Sequence, residues 1–411
     1  MELGKNAKAN FTWNMIGSVF ESALNFVLLI VVNRVIGESG AGVYTLAFSH
    51  AQLMYYIGTF EVRPIHSTDV TQKYRFADYF SLRVASGILM ILVSVLWILL
   101  MDGDPFKKRV MIWICLYKVT DIFLDLFTSM FQQHERIEYS GKVSTLHVAL
   151  AIPVFTGVLL LTKNLEPAAL SLIAVGLFTL LTYTLKKWRE FPDAKIRITF
   201  SHAKEILVAC FPLFVSVFVQ LYISNAPKYA IDAYCSDVVQ NRYSILFMPA
   251  FVINLFSLFV LRPMLTPMAK LWNGGEMKQF NKNLRLMILI ILGATVLGIG
   301  GAWLLGIPVL NLLYSVDVSE YRSVLIWVMV YGGLNAFNIF FYCIIATIRA
   351  QKWLLFAYLV SALAVFLLAA PMVQAMEMTG AVLASIIAIG ILDAILAGIT
   401  FFAVRKKGAD S

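Results

Sequence analysis

Charge is scarce in this sequence. Of 411 residues only 14% are charged, and 60% are hydrophobic, where a soluble domain carries about 25% charged residues. A soluble fold of this length would have to bury more apolar surface than its interior holds, which excludes a soluble enzyme. Long polar stretches are missing too, so a receptor with a globular ectodomain is excluded. Cysteine is sparse: Cys115, Cys210, Cys235 and Cys343 lie scattered, mostly inside apolar runs. They show neither a disulfide framework nor metal-ligand spacing. There is no Walker loop, no HExxH and no CxxC, so ATP hydrolysis, zinc hydrolysis and thiol redox chemistry have no signature here. The five histidines, His50, His66, His134, His147 and His202, are far apart, and three fall in or beside loops. They are expected mostly at the surface. No catalytic residue, metal or cofactor is expected, apart from a coupling ion.

What the chain has instead is long apolar runs. A membrane-spanning helix needs about 20 mostly apolar residues, and twelve of them use roughly 240. The runs are continuous rather than alternating, which excludes a closed barrel. They predict an all-α integral membrane protein of twelve transmembrane helices. Six are expected near 11–36, 42–62, 79–101, 109–131, 143–162 and 168–185. Six more are expected near 205–226, 243–262, 285–306, 322–348, 353–373 and 380–404. The first run is too long for a signal-peptide core and lacks a small-residue cleavage site, so it reads as a retained helix.

Net charge is +9, with 33 Lys+Arg against 24 Asp+Glu. In this context the excess points to basic cytoplasmic loops rather than to nucleic acid. Lys and Arg concentrate in alternate segments, which predicts cytoplasmic N- and C-termini, with Arg405, Lys406 and Lys407 anchoring the last helix. The polar segment 186–204 carries six cations and divides the chain into two lobes, 1–185 and 205–411. It reads as a solvated basic loop or as a tether between lobes that move. The stretch Gly37 to Phe48 has a weak counterpart in Cys235 to Phe247, and duplicated six-helix halves are a transporter architecture.

Polar residues inside the expected spans need an account, because a charge in hydrocarbon costs at least about 2.5–3.5 kcal/mol. Asn14, Ser18, Glu21 and Asn25 share one helix face, as do Lys118, Asp121, Asp125 and Ser129. Tyr331, Asn335, Asn338 and Tyr342 repeat the pattern, and Ser216, Gln220, Ser224 and Lys228 form a winding stripe. The uncharged members serve either as helix–helix contacts or as lumen lining. Lys118 either pairs with Asp121 or Asp125 on the same helix face or faces a substrate. Glu21 has no basic neighbour at helical spacing, so it is protonated, paired across helices, or wet. Glu21, Asp121 and Asp125 are the ion-coupling candidates, for H⁺ or Na⁺. Asp393 is isolated and reads as structural. Pro212, Pro227 and Pro249 fall inside spans and are hinge candidates.

Several stretches resemble the oligosaccharide and polysaccharide flippases of the multidrug/oligosaccharidyl-lipid/polysaccharide exporter superfamily. They are Arg34 to Gly37 leading to Tyr44; Arg63-Pro64 through Asp69, Tyr74, Phe76 and Tyr79 to Arg83; Ile253 through Arg262-Pro263 to Asn273; and Gly306 through Pro308 and Tyr314 to Tyr321. The resemblance implies translocation of an undecaprenyl-pyrophosphate-linked oligosaccharide to the outer leaflet of a bacterial plasma membrane. Such a substrate calls for cations at the diphosphate, and hydrogen-bonding and aromatic groups at the sugars. Arg34, Lys118, Lys228 and Arg242 are the phosphate candidates, though Arg34 and Arg242 also suit interfacial anchoring. Gln220, Asn335 and Asn338 are the sugar candidates. Expected partners are the lipid-linked oligosaccharide, membrane lipids and other polysaccharide-assembly membrane proteins. The alternatives are a cation-coupled exporter of small amphipathic molecules and, third, a membrane-embedded glycan polymerase or acyltransferase.

Overall fold

The computed structural model describes residues 2–69, 72–101, 104–250, 253, 268, 271–272, 274–348 and 353–410. Every regular element among them is a helix, the form in which a chain satisfies its own backbone in a bilayer. Eight helical stretches among these residues are apolar and long enough to cross a membrane. The chain is a multi-pass membrane protein, and it divides into two compact units, Met1–Phe218 and Val219–Ser411.

The first unit holds α1 (Glu2–Thr59), α2 (Arg63–Thr68), α3 (Phe76–Leu100), α4 (Pro105–Gln133), α5 (Ile137–Thr162) and α6 (Leu165–Thr179). A π-helical turn, Leu180–Thr184, carries α6 on to Trp188. α1 contains two of the expected spans. They meet at Gly37, whose φ of 82° is open to glycine at no steric cost. α4 is not among the eight apolar stretches, because Lys118, Asp121 and Asp125 interrupt it. It is sheltered instead, packing against α1, α2, α3, α5 and α6. Helix starts follow local chemistry. Pro105 opens α4, the Asn164 side chain accepts the Glu166 N–H at 2.9 Å ahead of α6, and Asp78 accepts the Arg75 N–H at 3.1 Å at the start of α3.

α1 and α5 touch backbone to backbone. A Cβ on Gly17 would lie 2.8 Å from the Gly141 carbonyl oxygen, and one on Gly141 would overlap the carbonyl of Trp13. Two glycines facing each other permit this approach. At one end of the unit an aromatic cluster gathers Tyr74, Phe76, Tyr79, Phe127, Phe131 and Tyr139 around Ile206 and Cys210.

The basic segment 186–204 is fastened to this first unit. Thr199 N–H donates to Ser81 Oγ at 2.7 Å and His202 Nδ1 lies 3.3 Å from Asp78, while within the segment Trp188 Nε1 donates to the Ala194 carbonyl at 2.6 Å. Just beyond it, Glu205 meets Lys73 Nζ at 3.3 Å. α7 (Ala203–Tyr234) begins in the first unit, where Phe214 stacks on Phe60 at 4.4 Å, and ends in the second. The boundary between the two units lies within this helix. α7 runs as one helix past Pro212 and Pro227.

The second unit continues with α8, described over 237–250 and containing Pro249; the rest of the expected span 243–262 lies outside the described residues apart from 253. α9 (Met277–Gly301) passes through a π turn, Ala302–Gly306, to Tyr314. α10 (Arg322–Thr347) and α11 (Leu354–Asp410) pack together. α11 breaks at Glu377, between the last two expected spans.

Candidate functional site

A cavity of about 300 Å³ opens within the first unit, lined from α1, α2, α4 and α5. The glycine crossing builds one wall. One turn past Gly17 stands Glu21, and one turn past Gly141 stands Ser144, whose hydroxyl donates to Glu21 Oε1 at 2.5 Å. Asn25, a turn further along α1, accepts the Tyr44 hydroxyl at 3.1 Å. Gln52 and Tyr55 enter from the second arm of α1.

α4 supplies the charged floor. Lys118 Nζ bonds Asp121 Oδ2 at 2.7 Å. The same ammonium lies 4.9 Å from the Phe48 ring centre, 5.1 Å from Tyr117 and 5.6 Å from Tyr55, a cation–π cage. The other Asp121 oxygen is 3.5 Å from His147 Nε2, which also meets the Tyr117 hydroxyl at 3.1 Å. Asp125, the other possible partner of Lys118, is engaged elsewhere. Its Oδ1 accepts from Arg63 Nη1 and its Oδ2 from Arg83 Nη2, both at 2.8 Å. Arg83 is fully buried and also donates to the Gly58 carbonyl at 3.1 Å.

The expected site residues thus separate. Glu21, Lys118, Asp121 and Asp125 line one cavity. Arg34 is exposed and is not part of its lining. The others lie in the second unit. Gln220, Lys228 and Asn335 are half-buried, and the half-buried Arg242 guanidinium lies 5.8 Å from the Tyr321 ring centre. Asn338 is buried and accepts the Tyr358 hydroxyl at 3.4 Å, with the buried Asp393 carboxylate nearby. Among the described residues no three or more of His, Cys, Asp and Glu converge to hold a metal ion.

The expectation of surface histidines is corrected at three positions. His50 is buried against Ser94 at 3.2 Å, and His147 lines the cavity. His66 in α2 stacks on Tyr79 at 4.0 Å; burial lowers its pKa to about 3, with Arg83, His134 and Arg63 opposing its charge further. Sequence reasoning also missed Arg63 and Arg83 as site residues. Arg83 carried a usable signal, since it is a cation inside the expected span 79–101, where Asp125 on a neighbouring helix needed a counter-charge.

Residues 7–269 match the family described as polysaccharide biosynthesis protein. The chain belongs to that family. Among solved structures, this polysaccharide biosynthesis protein family member is similar to an inward-facing multidrug resistance MATE family transporter of the MOP superfamily. The TM-score is 0.69 at 12% identity, covering 98% of each chain. The Vibrio cholerae MATE transporter VcmN, in its bent form, gives 0.59 at 11% identity over 99% of this chain and 98% of that one. A MOP superfamily transporter from Pyrococcus furiosus, whose binding pocket is described as having reversed polarity, gives 0.60 at 14% identity over 98% of this chain and 96% of that one. Such identities show a shared fold. No curated protein matches the chain. The fold is the one seen in MATE family transporters of the MOP superfamily.

Proposed function

We propose that this protein is an alternating-access flippase. It moves an undecaprenyl-pyrophosphate-linked oligosaccharide from the inner to the outer leaflet of a bacterial plasma membrane, for surface polysaccharide synthesis. The reading includes twelve crossings, two six-helix lobes, cytoplasmic termini, and coupling to H⁺ or Na⁺ through Glu21. The observation that carries it is the make-up of the cavity in the first unit. Charged pairs, amides, hydroxyls and aromatic rings converge there inside an otherwise apolar helical unit. That mixture suits a glycan, whose hydroxyls need both donors and acceptors and whose ring faces pack on aromatics. The family membership supports the same substrate class.

A second reading is a cation-coupled exporter of small amphipathic molecules, favoured by the likeness to multidrug transporters. Proteoliposomes separate the two. Purified protein is expected to move a lipid-linked oligosaccharide across the bilayer and to leave cationic dyes where they are. Dye efflux without glycan movement selects the exporter, and glycosyl transfer in the same vesicles would return the polymerase reading.

A further inference from the structure

Two cations line the cavity, and they differ in what they have left to offer. Lys118 is 9% exposed, closed onto Asp121 and surrounded by three aromatic rings. It forms an ion pair within α4, with Phe48 and Tyr55 of α1 over the ammonium and His147 of α5 beside the carboxylate. Arg63 is 44% exposed. Its Nη1 donates to Asp125 at 2.8 Å and to Thr128 Oγ1 at 3.4 Å, and Nη2 reaches Gln132 Oε1 at 3.5 Å. A guanidinium carries five N–H donors. Nε and the second Nη2 hydrogen of Arg63 therefore have no partner among the described residues. Arg63 also shares its carboxylate. Asp125 is bonded equally closely by Arg83, which is 1% exposed and out of reach of any ligand. One carboxylate between two guanidiniums leaves this triad with a charge of plus one. The open donors lie on the member that faces the cavity.

We propose that Arg63 is the anion-binding group of this cavity and takes the phosphate oxygens of a polyprenyl diphosphate. Arg83 acts as a positioning residue that occupies half of Asp125. A planar fork with two free donors matches a phosphate better than a caged ammonium does. The assignment moves the diphosphate contact away from Lys118, and it rests on the flippase reading for the lipid that carries the diphosphate.

The test uses the full-length protein in nanodiscs, with geranylgeranyl diphosphate as probe. Geranylgeraniol is the uncharged control, and phosphatidylglycerol and inorganic pyrophosphate are competitors. R63Q is expected to weaken diphosphate binding at least tenfold, to leave the alcohol unchanged and to melt near the wild type, since Arg83 still holds Asp125. K118Q is expected to change diphosphate binding less than twofold. Wild-type affinity in R63Q, or a tenfold loss in K118Q, overturns the assignment. Equal competition by phosphatidylglycerol overturns it in favour of a general lipid-headgroup site, and full competition by inorganic pyrophosphate at equal concentration supports it. If R63Q does not fold, R63K carries the test: it keeps the charge and loses the fork, so binding should weaken at least threefold, and unchanged binding overturns the proposal. Flipping is scored separately in proteoliposomes. Wild-type protein that binds the probe through Arg63 but moves no lipid-linked oligosaccharide defeats the flippase reading alone. Full flipping by R63Q defeats this inference alone.

Discussion

Glu21 on α1 accepts the Ser144 hydroxyl of α5 because Gly17 and Gly141, one turn away on each helix, let the two backbones touch. A side chain at either glycine separates both pairs at once. Gly141→Leu would place atoms where the Trp13 carbonyl sits, and is expected to cost at least about 1–3 kcal/mol in overpacking. Gly157→Ala on the same helix meets nothing within 4 Å and should melt at or above the wild-type temperature. Melting curves of the two variants in detergent check the contrast, and equal melting points would count against the close crossing.

Glu21 is the candidate for ion coupling. Glu21→Gln keeps the shape and can still bond Ser144, but it no longer titrates. It is expected to bind substrate and to lose the response of transport to an imposed H⁺ or Na⁺ gradient. Gradient-dependent transport at wild-type level would make Glu21 structural and send the search to Asp121 or to the membrane potential.

Asp125 bridges two guanidiniums, one of them fully buried. Asp125→Ala strands Arg83 without a counter-charge, and removal of one partner from a buried pair costs about 3–5 kcal/mol. The variant should melt far below the wild type or fail to accumulate. The double variant Asp125→Ala/Arg83→Leu should recover part of the loss, and no recovery would mean that the pairing is not what stabilises the site.

His66 predicts acid sensitivity. Its pKa is lowered to about 3 by burial, below the ordinary value near 6.5. The neutral ring's contribution is complete above about pH 6.5 and is lost as pH falls from there towards 3. The slope for one such group approaches about 1.4 kcal/mol per pH unit. His66→Phe keeps a ring against Tyr79 and should flatten the decline of melting temperature with acid in this window. An unchanged slope would assign the decline to other groups.

The alternation of Lys and Arg predicts that Lys195 and the C-terminus face the cytoplasm. Cysteines placed at Lys195 and Ser411, in a background lacking the four native ones, should resist an impermeant maleimide in intact cells and react after lysis. Efficient labelling from outside would reverse the orientation.

Runs of about twenty apolar residues force helices in a bilayer whatever surrounds them, so the sequence by itself determined the helical class and the break between the first two apolar runs, which the structure puts at Gly37. It also marked Glu21, Lys118, Asp121 and Asp125, because intramembrane charge stands out against an apolar background. Periodicity places residues on a face but says nothing of which neighbouring helix meets that face. The choice of Asp121 over Asp125 for Lys118 was therefore decided only by tertiary structure, since both share its helix face and Arg63 and Arg83 arrive from other helices to claim Asp125. The same holds for His147, which is unremarkable along α5 and becomes a cavity wall only when α4 brings Tyr117 and Asp121 against it. It holds for the basic segment 186–204 as well. Its charge reads as solvated loop, while its docking depends on Ser81 and Asp78, which composition cannot pair with it.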